Sequence, residues 1–273
     1  MKLHGKVALI TGGGRGVGRA IGLAFAREGA DLVLASRTIG EVESAAREAE
    51  GLGRKALAVR ADVSRLADVE AMVKQSLERF GRIDILVNNA AVQPPIGPLW
   101  ENDPEEWLQT ILTNLGGVFL CSRAVIPTMI RQGGGKIINL SGGGATSPRP
   151  YFSAYAASKA AVVRLTETLA EELKPHGIQV NAIAPGAVYT HMTEEVLSAG
   201  ASAGERALAE AERVKAHAVG SDAAAELAVF LASEDSDGLT GRLISAMWDD
   251  WRSLPRRLSE VMESDLYTLR RVV

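Results

Sequence analysis

Only one cysteine, Cys121, occurs in 273 residues. That excludes an internal disulfide framework and suits a reducing cytosol. The thiol is expected as a small core residue on a helix rather than as a reactive group. Histidine is almost as sparse. His4, His176, His191 and His217 are scattered without metal-ligand spacing, so no metal site is expected. Aromatics make up 5% of the chain, and neither sign of charge dominates: 30 Lys and Arg against 33 Asp and Glu give a net charge of -3. No basic run interleaved with aromatics occurs, which argues against a nucleic-acid partner. No apolar stretch looks long enough to span a bilayer, and no apolar segment with a small-residue cleavage site follows Met1, so a cytoplasmic protein without a membrane partner is expected. A linker is lacking too, and residues 1–273 read as one domain.

What is present is an alternation. Apolar runs at Val7–Ile10, Leu32–Ala35, Ala56–Val59, Ile83–Val87, Lys136–Leu140, Ile178–Ile183 and Arg242–Ser245 read as strands. Between the first four lie helical patterns over 17–28, onward to about 52, and over 66–80. Continuous rather than alternating apolar strands suit a parallel sheet buried on both faces. The expected fold class is therefore α/β: a single doubly wound Rossmann-type domain of about seven strands with helices on both faces.

Directly after the first strand comes Thr11-Gly12-Gly13-Gly14-Arg15-Gly16-Val17-Gly18, opening a helix. A glycine-rich strand-to-helix turn lets the backbone approach a pyrophosphate, which then sits on the helix N-terminus. The second strand ends in Ser36-Arg37, where an NAD enzyme places an Asp or Glu for the ribose hydroxyls. Arg37 and Arg15, with no carboxylate beside them, suit the 2′-phosphate of NADP(H). If Arg37 is merely a solvated strand-end residue, NAD(H) remains possible. Farther on, Tyr155-Ala156-Ala157-Ser158-Lys159 sets a phenol and an ammonium four residues apart, on one face of a helix. A phenol of pKa about 10 is a poor base near neutrality, and a neighbouring ammonium favours its ionised form.

The spacing of Gly12, Gly16 and Gly18 after Thr11, joined to Tyr155 and Lys159, resembles the short-chain dehydrogenase/reductase family over roughly Leu3 to Ser245. It differs from the G-x-x-G-x-x-G of that superfamily's epimerases and dehydratases. The resemblance implies hydride transfer between a nicotinamide and a carbonyl or secondary alcohol, with Tyr155 as general acid/base and Lys159 and Asn114 in its proton relay. It places Asp62 and Val63 beside the adenine, and Asn89 and Ala90 of Asn88-Asn89-Ala90 by the adenosine ribose, with Ala91 where Gly is more usual. Pro185, Gly186 and Val188 fall under the nicotinamide, and Thr190 at its carboxamide. It also implies a homodimer or homotetramer acting on a small-molecule substrate, and a variable substrate loop after Thr190, read here as a lid over 191–220.

One position departs from that pattern. The family's substrate-holding Ser stands thirteen residues before the Tyr, and here that residue is Gly142. Ser141 is expected to serve after a rearrangement of the glycine run; Thr146 or Ser147 could substitute, or Tyr155 could act alone. Losing one pre-aimed donor typically costs on the order of 10²–10³ in rate. The departure motivates an alternative, a cofactor-binding sensor or scaffold with weak catalysis. Tyr151, Phe152, Tyr189, His191 and Met192 are candidate pocket residues. The tail at 247–273, from Met247-Trp248-Asp249-Asp250-Trp251 onward, either packs on a subunit or closes the pocket with Trp248 or Trp251.

Overall fold

The computed structural model describes residues 1–217 and 219–271. Its strands are β1 (Val7–Thr11), β2 (Asp31–Ser36), β3 (Ala56–Arg60), β4 (Ile85–Asn88), β5 (Gly135–Leu140), β6 (Ile178–Ala184) and β7 (Leu243–Ser245). They form one sheet in the order β3-β2-β1-β4-β5-β6-β7, with every pair parallel. Parallel neighbours need long crossovers, which helices provide: α1 (Gly16–Arg27), α2 (Ile39–Gly51), α3 (Leu66–Phe80), α4 (Pro104–Ile111), α5 (Gly117–Gln132), α6 (Ser153–Leu173), α7 (His191–Ala199), α8 (Glu205–Ala216), α9 (Asp222–Ala232) and α10 (Leu258–Met262).

Successive strand residues point to opposite faces, and two cores result. Ala8, Ile10, Leu32, Leu34, Ile85, Val87 and Ile138 pack against α1, α2 and α9. Leu9, Val33, Leu86, Ile137 and Val180 pack against α3, α5 and α6. Cys121 lies wholly buried in this second core, and burial pushes its thiol up to about 12, too high for a thiolate near neutrality.

The strands are less purely apolar than their runs suggest. Asn88 Nδ2 donates to Asn139 Oδ1 at 2.9 Å, and Asn139 Nδ2 donates to Thr166 Oγ1 at 2.8 Å. Buried amides are usually paired; here Asn88 Oδ1 alone of these groups lacks a partner, and the chain of side chains ties β4 and β5 to α6.

The expectation that no apolar stretch could span a bilayer needs correcting. The helical run Pro104–Gln132 is long and apolar enough by composition. Its α5 portion buries Cys121, Val125 and Met129 under the sheet.

The tail packs on its own chain. Trp251 is buried 5.5 Å from the Phe230 ring, while Trp248 is 85% exposed. The Arg242 guanidinium donates to the carbonyls of Val261, Met262 and Ser264, and Leu269 N donates to Glu167 on α6. Helix in the tail is confined to 251–262, and the last two tail residues lie outside the described residues.

Candidate active site

The C-terminal ends of the strands open into a cleft of about 1160 Å³. In a doubly wound sheet the crevice outside these ends is where ligands bind. The glycine loop forms one wall. A Cβ at Gly18 would lie 2.3 Å from the Gly12 carbonyl oxygen, so α1 can dock on the loop only without a side chain there. Gly12 itself has φ +64° and would meet Asn89 and Ala90. The loop is braced from β4. Asn89 Nδ2 donates to the carbonyls of Thr11 and Gly12, and the N–H groups of Asn89 and Ala90 donate to Thr11 Oγ1.

No side chain caps α1, and its first turn holds no acidic residue, so uncompensated N–H groups face the cleft at Gly16 and Val17. Such an end suits a phosphate. The residues therefore fit the pyrophosphate of a dinucleotide.

At the end of β2, Ser36 and Arg37 line the cleft with Asp62 and Val63. Ser36 is occupied locally, its Oγ donating to Thr38 O at 2.9 Å. Arg15 sits 3.5 Å from Glu41 on α2, a carboxylate that the sequence reading overlooked. Glu41 was legible only as a helix residue; its approach to Arg15 depends on Gly14, where a Cβ would lie 2.7 Å from the Glu41 Cβ. Arg37, the other guanidinium, has no ion-pair partner among the described residues.

Tyr155 and Lys159 both lie on α6, 7% and 3% exposed. Lys159 Nζ stands 5.5 Å from the Tyr155 ring centroid and donates to Leu140 O at 2.8 Å. Burial pushes the phenol of Tyr155 up, opposed by the positive charge of Arg149. Burial also brings the Lys159 ammonium down to about 8. Asn114 occupies a π-helical turn, Leu112–Gly116, between α4 and α5. Such turns often accompany functional positions. Its side chain is buried, accepting from Val92 N and donating to Val92 O and to Ser158 Oγ at 3.0 Å. Ser158, quoted in the motif without a role, is the link from Asn114 to α6.

The expected substitution by Ser141 is not what the structure shows. Ser141 follows β5 in register with Asn139 and turns its hydroxyl to Lys159 O, 3.4 Å away on α6. Period two fixes this. A Cβ at Gly142 would instead lie 2.5 Å from the Tyr155 hydroxyl, so Gly142 is the position that faces the phenol and carries nothing to offer it. Thr146 and Ser147 line the cleft but are exposed, in the loop leading to Arg149.

Of the other expected residues, Pro185, Gly186, Val188 and Thr190 line the cleft. Thr190 caps α7 in a reciprocal pair with Thr193. Tyr151, Tyr189, His191 and Met192 line it as well, whereas Phe152 is fully buried beneath Arg149. Trp248 stands at the cleft's edge and Trp251 does not reach it.

The family model described as short chain dehydrogenase matches residues 6–200. The chain belongs to the short-chain dehydrogenase family. A short chain dehydrogenase/reductase of Aspergillus oryzae is 39% identical over 246 residues, 89% of this chain and 94% of that protein. Galactitol 2-dehydrogenase of Agrobacterium fabrum is 40% identical over 262 residues, 93% of this chain and all of its relative. Among solved structures, an NAD+-bound xylitol dehydrogenase is similar at TM-score 0.83 with 28% identity, covering 90% of this chain and 98% of its own. Levodione reductase is similar at TM-score 0.82 with 33% identity, covering 89% and 96%. Like this short-chain dehydrogenase family at large, the protein is an NAD(P)-dependent oxidoreductase acting on CH–OH groups. The sensor alternative, motivated by Gly142 alone, is not favoured.

Proposed function

We propose that the protein is an NADP(H)-dependent dehydrogenase/reductase of small ketones and secondary alcohols, with Tyr155 as its acid/base. The observation that carries the reading is the buried Tyr155–Lys159 pair on α6, at the cleft lined by the uncapped glycine loop. When bound, the nicotinamide supplies or accepts the hydride. In reduction Tyr155 gives its phenolic proton to the carbonyl oxygen; in oxidation it takes the proton from the alcohol. Lys159 stabilises the phenolate in both directions, and Asn114 holds the turn beside it through Ser158. Galactitol, xylitol and levodione in the relatives' names favour secondary alcohols and ketones of modest size.

The preference for NADP(H) rests on Arg37, which follows β2 directly where an NAD enzyme has Asp or Glu, and whose guanidinium suits a 2′-phosphate. Glu41 neutralises part of Arg15's charge, so Arg37 carries most of the preference. Gly12, Gly16, Val17 and Gly18 shape the pyrophosphate wall. Asp62, Val63, Asn89 and Ala90 serve the adenosine half, and Pro185, Gly186, Val188 and Thr190 the nicotinamide half. The α7–α8 pair acts as the lid. It touches the catalytic helix through a small cluster of Phe152, Tyr155, Val196, Ala203 and Ala211, separate from the two main cores.

Ketones and secondary alcohols followed at the nicotinamide absorbance, with NADPH and NADH in parallel, test this reading. NADPH-dependent turnover is expected, and Arg37→Asp should shift the preference toward NADH. A wild-type preference for NADH would overturn the cofactor assignment.

A further inference from the structure

The glycine run that removes the hydroxyl opposite Tyr155 also admits a cation. Gly142, Gly143 and Gly144 present no side chains, and Arg149 folds back over them. A Cβ at Gly143 would lie 3.3 Å from Arg149 Nη1, and one at Gly144 would lie 3.2 Å from Arg149 Cβ. The guanidinium carbon stands 4.2 Å from the Phe152 ring centroid and 5.4 Å from that of Tyr155. Stacking of this kind fixes the guanidinium face and leaves its N–H edge available for a planar anion.

No anion among the described residues takes that edge. The ion pairs of the cleft are Arg15–Glu41, His191–Glu195 and Lys215–Glu194. Among the described residues Arg149 joins neither these nor any side-chain hydrogen bond. Glu205 and Glu210 line the same cleft, and neither comes within ion-pair distance of it. A partly buried guanidinium with five unused donors is a natural seat for a carboxylate, which it can hold through two parallel hydrogen bonds.

We infer that Arg149 binds a carboxylate that the substrate carries beside its reacting carbonyl, making this a site for oxo acids and the corresponding hydroxy acids. The inference rests on the oxidoreductase reading above and narrows it. A plain ketone meets Tyr155 alone at its oxygen, because Gly142 offers no second donor. An oxo acid is held at two points, the carbonyl oxygen at Tyr155 and the carboxylate at Arg149. The second anchor supplies the orientation that the missing hydroxyl would have given.

NADP+ and an oxo acid cannot exchange a hydride, so binding is readable without turnover. Calorimetry on the NADP+-saturated protein would compare pyruvate and acetoacetate with their methyl esters. The acid of at least one pair is expected to bind about tenfold or more tightly than its ester. Arg149→Gln should erase that difference and Arg149→Lys should keep part of it. Equal binding of acid and ester in both wild-type pairs, or an undiminished difference in Arg149→Gln, would overturn the inference. Turnover with NADPH separates the two claims. Neutral ketones reduced while both acids neither bind nor react would sink the carboxylate site and leave the oxidoreductase reading standing. Acids bound through Arg149 with nothing reduced would uphold the site and remove that reading.

Discussion

Tyr155 and Lys159 share a buried setting that moves their proton affinities in opposite directions, the phenol up and the ammonium down to about 8. The phenol therefore holds its proton at neutral pH, as a general acid for reduction must. The ammonium is still mostly charged at neutral pH and is lost as pH rises through about 8. The rate of ketone reduction is accordingly expected to be level below that pH and to fall above it. A pH–rate profile of kcat/KM for NADPH-dependent reduction checks this, and a rate that climbs through pH 8 would contradict it.

Gly142 permits a second prediction at this scale. A Cβ there would press on the Tyr155 hydroxyl at 2.5 Å, so Gly142→Ala must displace the phenol. Misplacing a reacting group by an ångström can cost about 10²-fold, and a loss in kcat of that order is expected with little change in thermal stability. Counting back from Tyr155 was enough to locate Gly142, because the interval along a strand-loop-helix is a property of the sequence. The direction of Ser141 follows from the period of two along β5, whereas the return of Arg149 onto Tyr155 was not legible. It depends on how nine loop residues close in space, and local patterning says nothing about that path.

Among the elements, the α7–α8 pair is the one whose packing rests on few residues. Gly204 precedes α8 at φ +78°, and a Cβ there would lie 2.5 Å from the Tyr151 ring. Gly204→Ala adds backbone strain and a clash at one contact between this pair and the loop from β5 to α6. Faster hydrogen exchange confined to 191–217 is expected, together with a raised KM; faster exchange through the β-sheet instead would show that this pair is part of the main cores. The strands were legible almost to the residue, since burial on both sheet faces writes itself as an apolar run. The α7–α8 pair was legible only by its place in the chain. Its Ala-, Glu- and Gly-rich composition has weak periodicity, and its order comes from contacts with Phe152 and Tyr155.

For the whole molecule, the surface carries one apolar stripe that the fold does not use. Leu108, Leu112 and Phe119 stand exposed four and seven residues apart along the α4–α5 run, with Leu99 and Trp100 just before it. Exposed apolar groups at helical spacing mark an association surface, and a second copy of the chain is the proposed occupant. Sedimentation should show a dimer or larger species, and Leu112→Glu with Phe119→Glu should shift it to the monomer. The doubly wound fold class followed from the apolar strands, strand–helix alternation and handedness. The number of subunits did not, because association depends on which apolar side chains remain outside after folding.

The catalytic expectations depend on Tyr155 moving the proton. The most direct measurement is NADPH-dependent reduction of a substrate turned over by the wild type, repeated with Tyr155→Phe, which removes one oxygen atom and leaves the buried ring in place. Turnover at background level with NADPH binding retained is the predicted result. Turnover close to wild type in Tyr155→Phe would contradict the account.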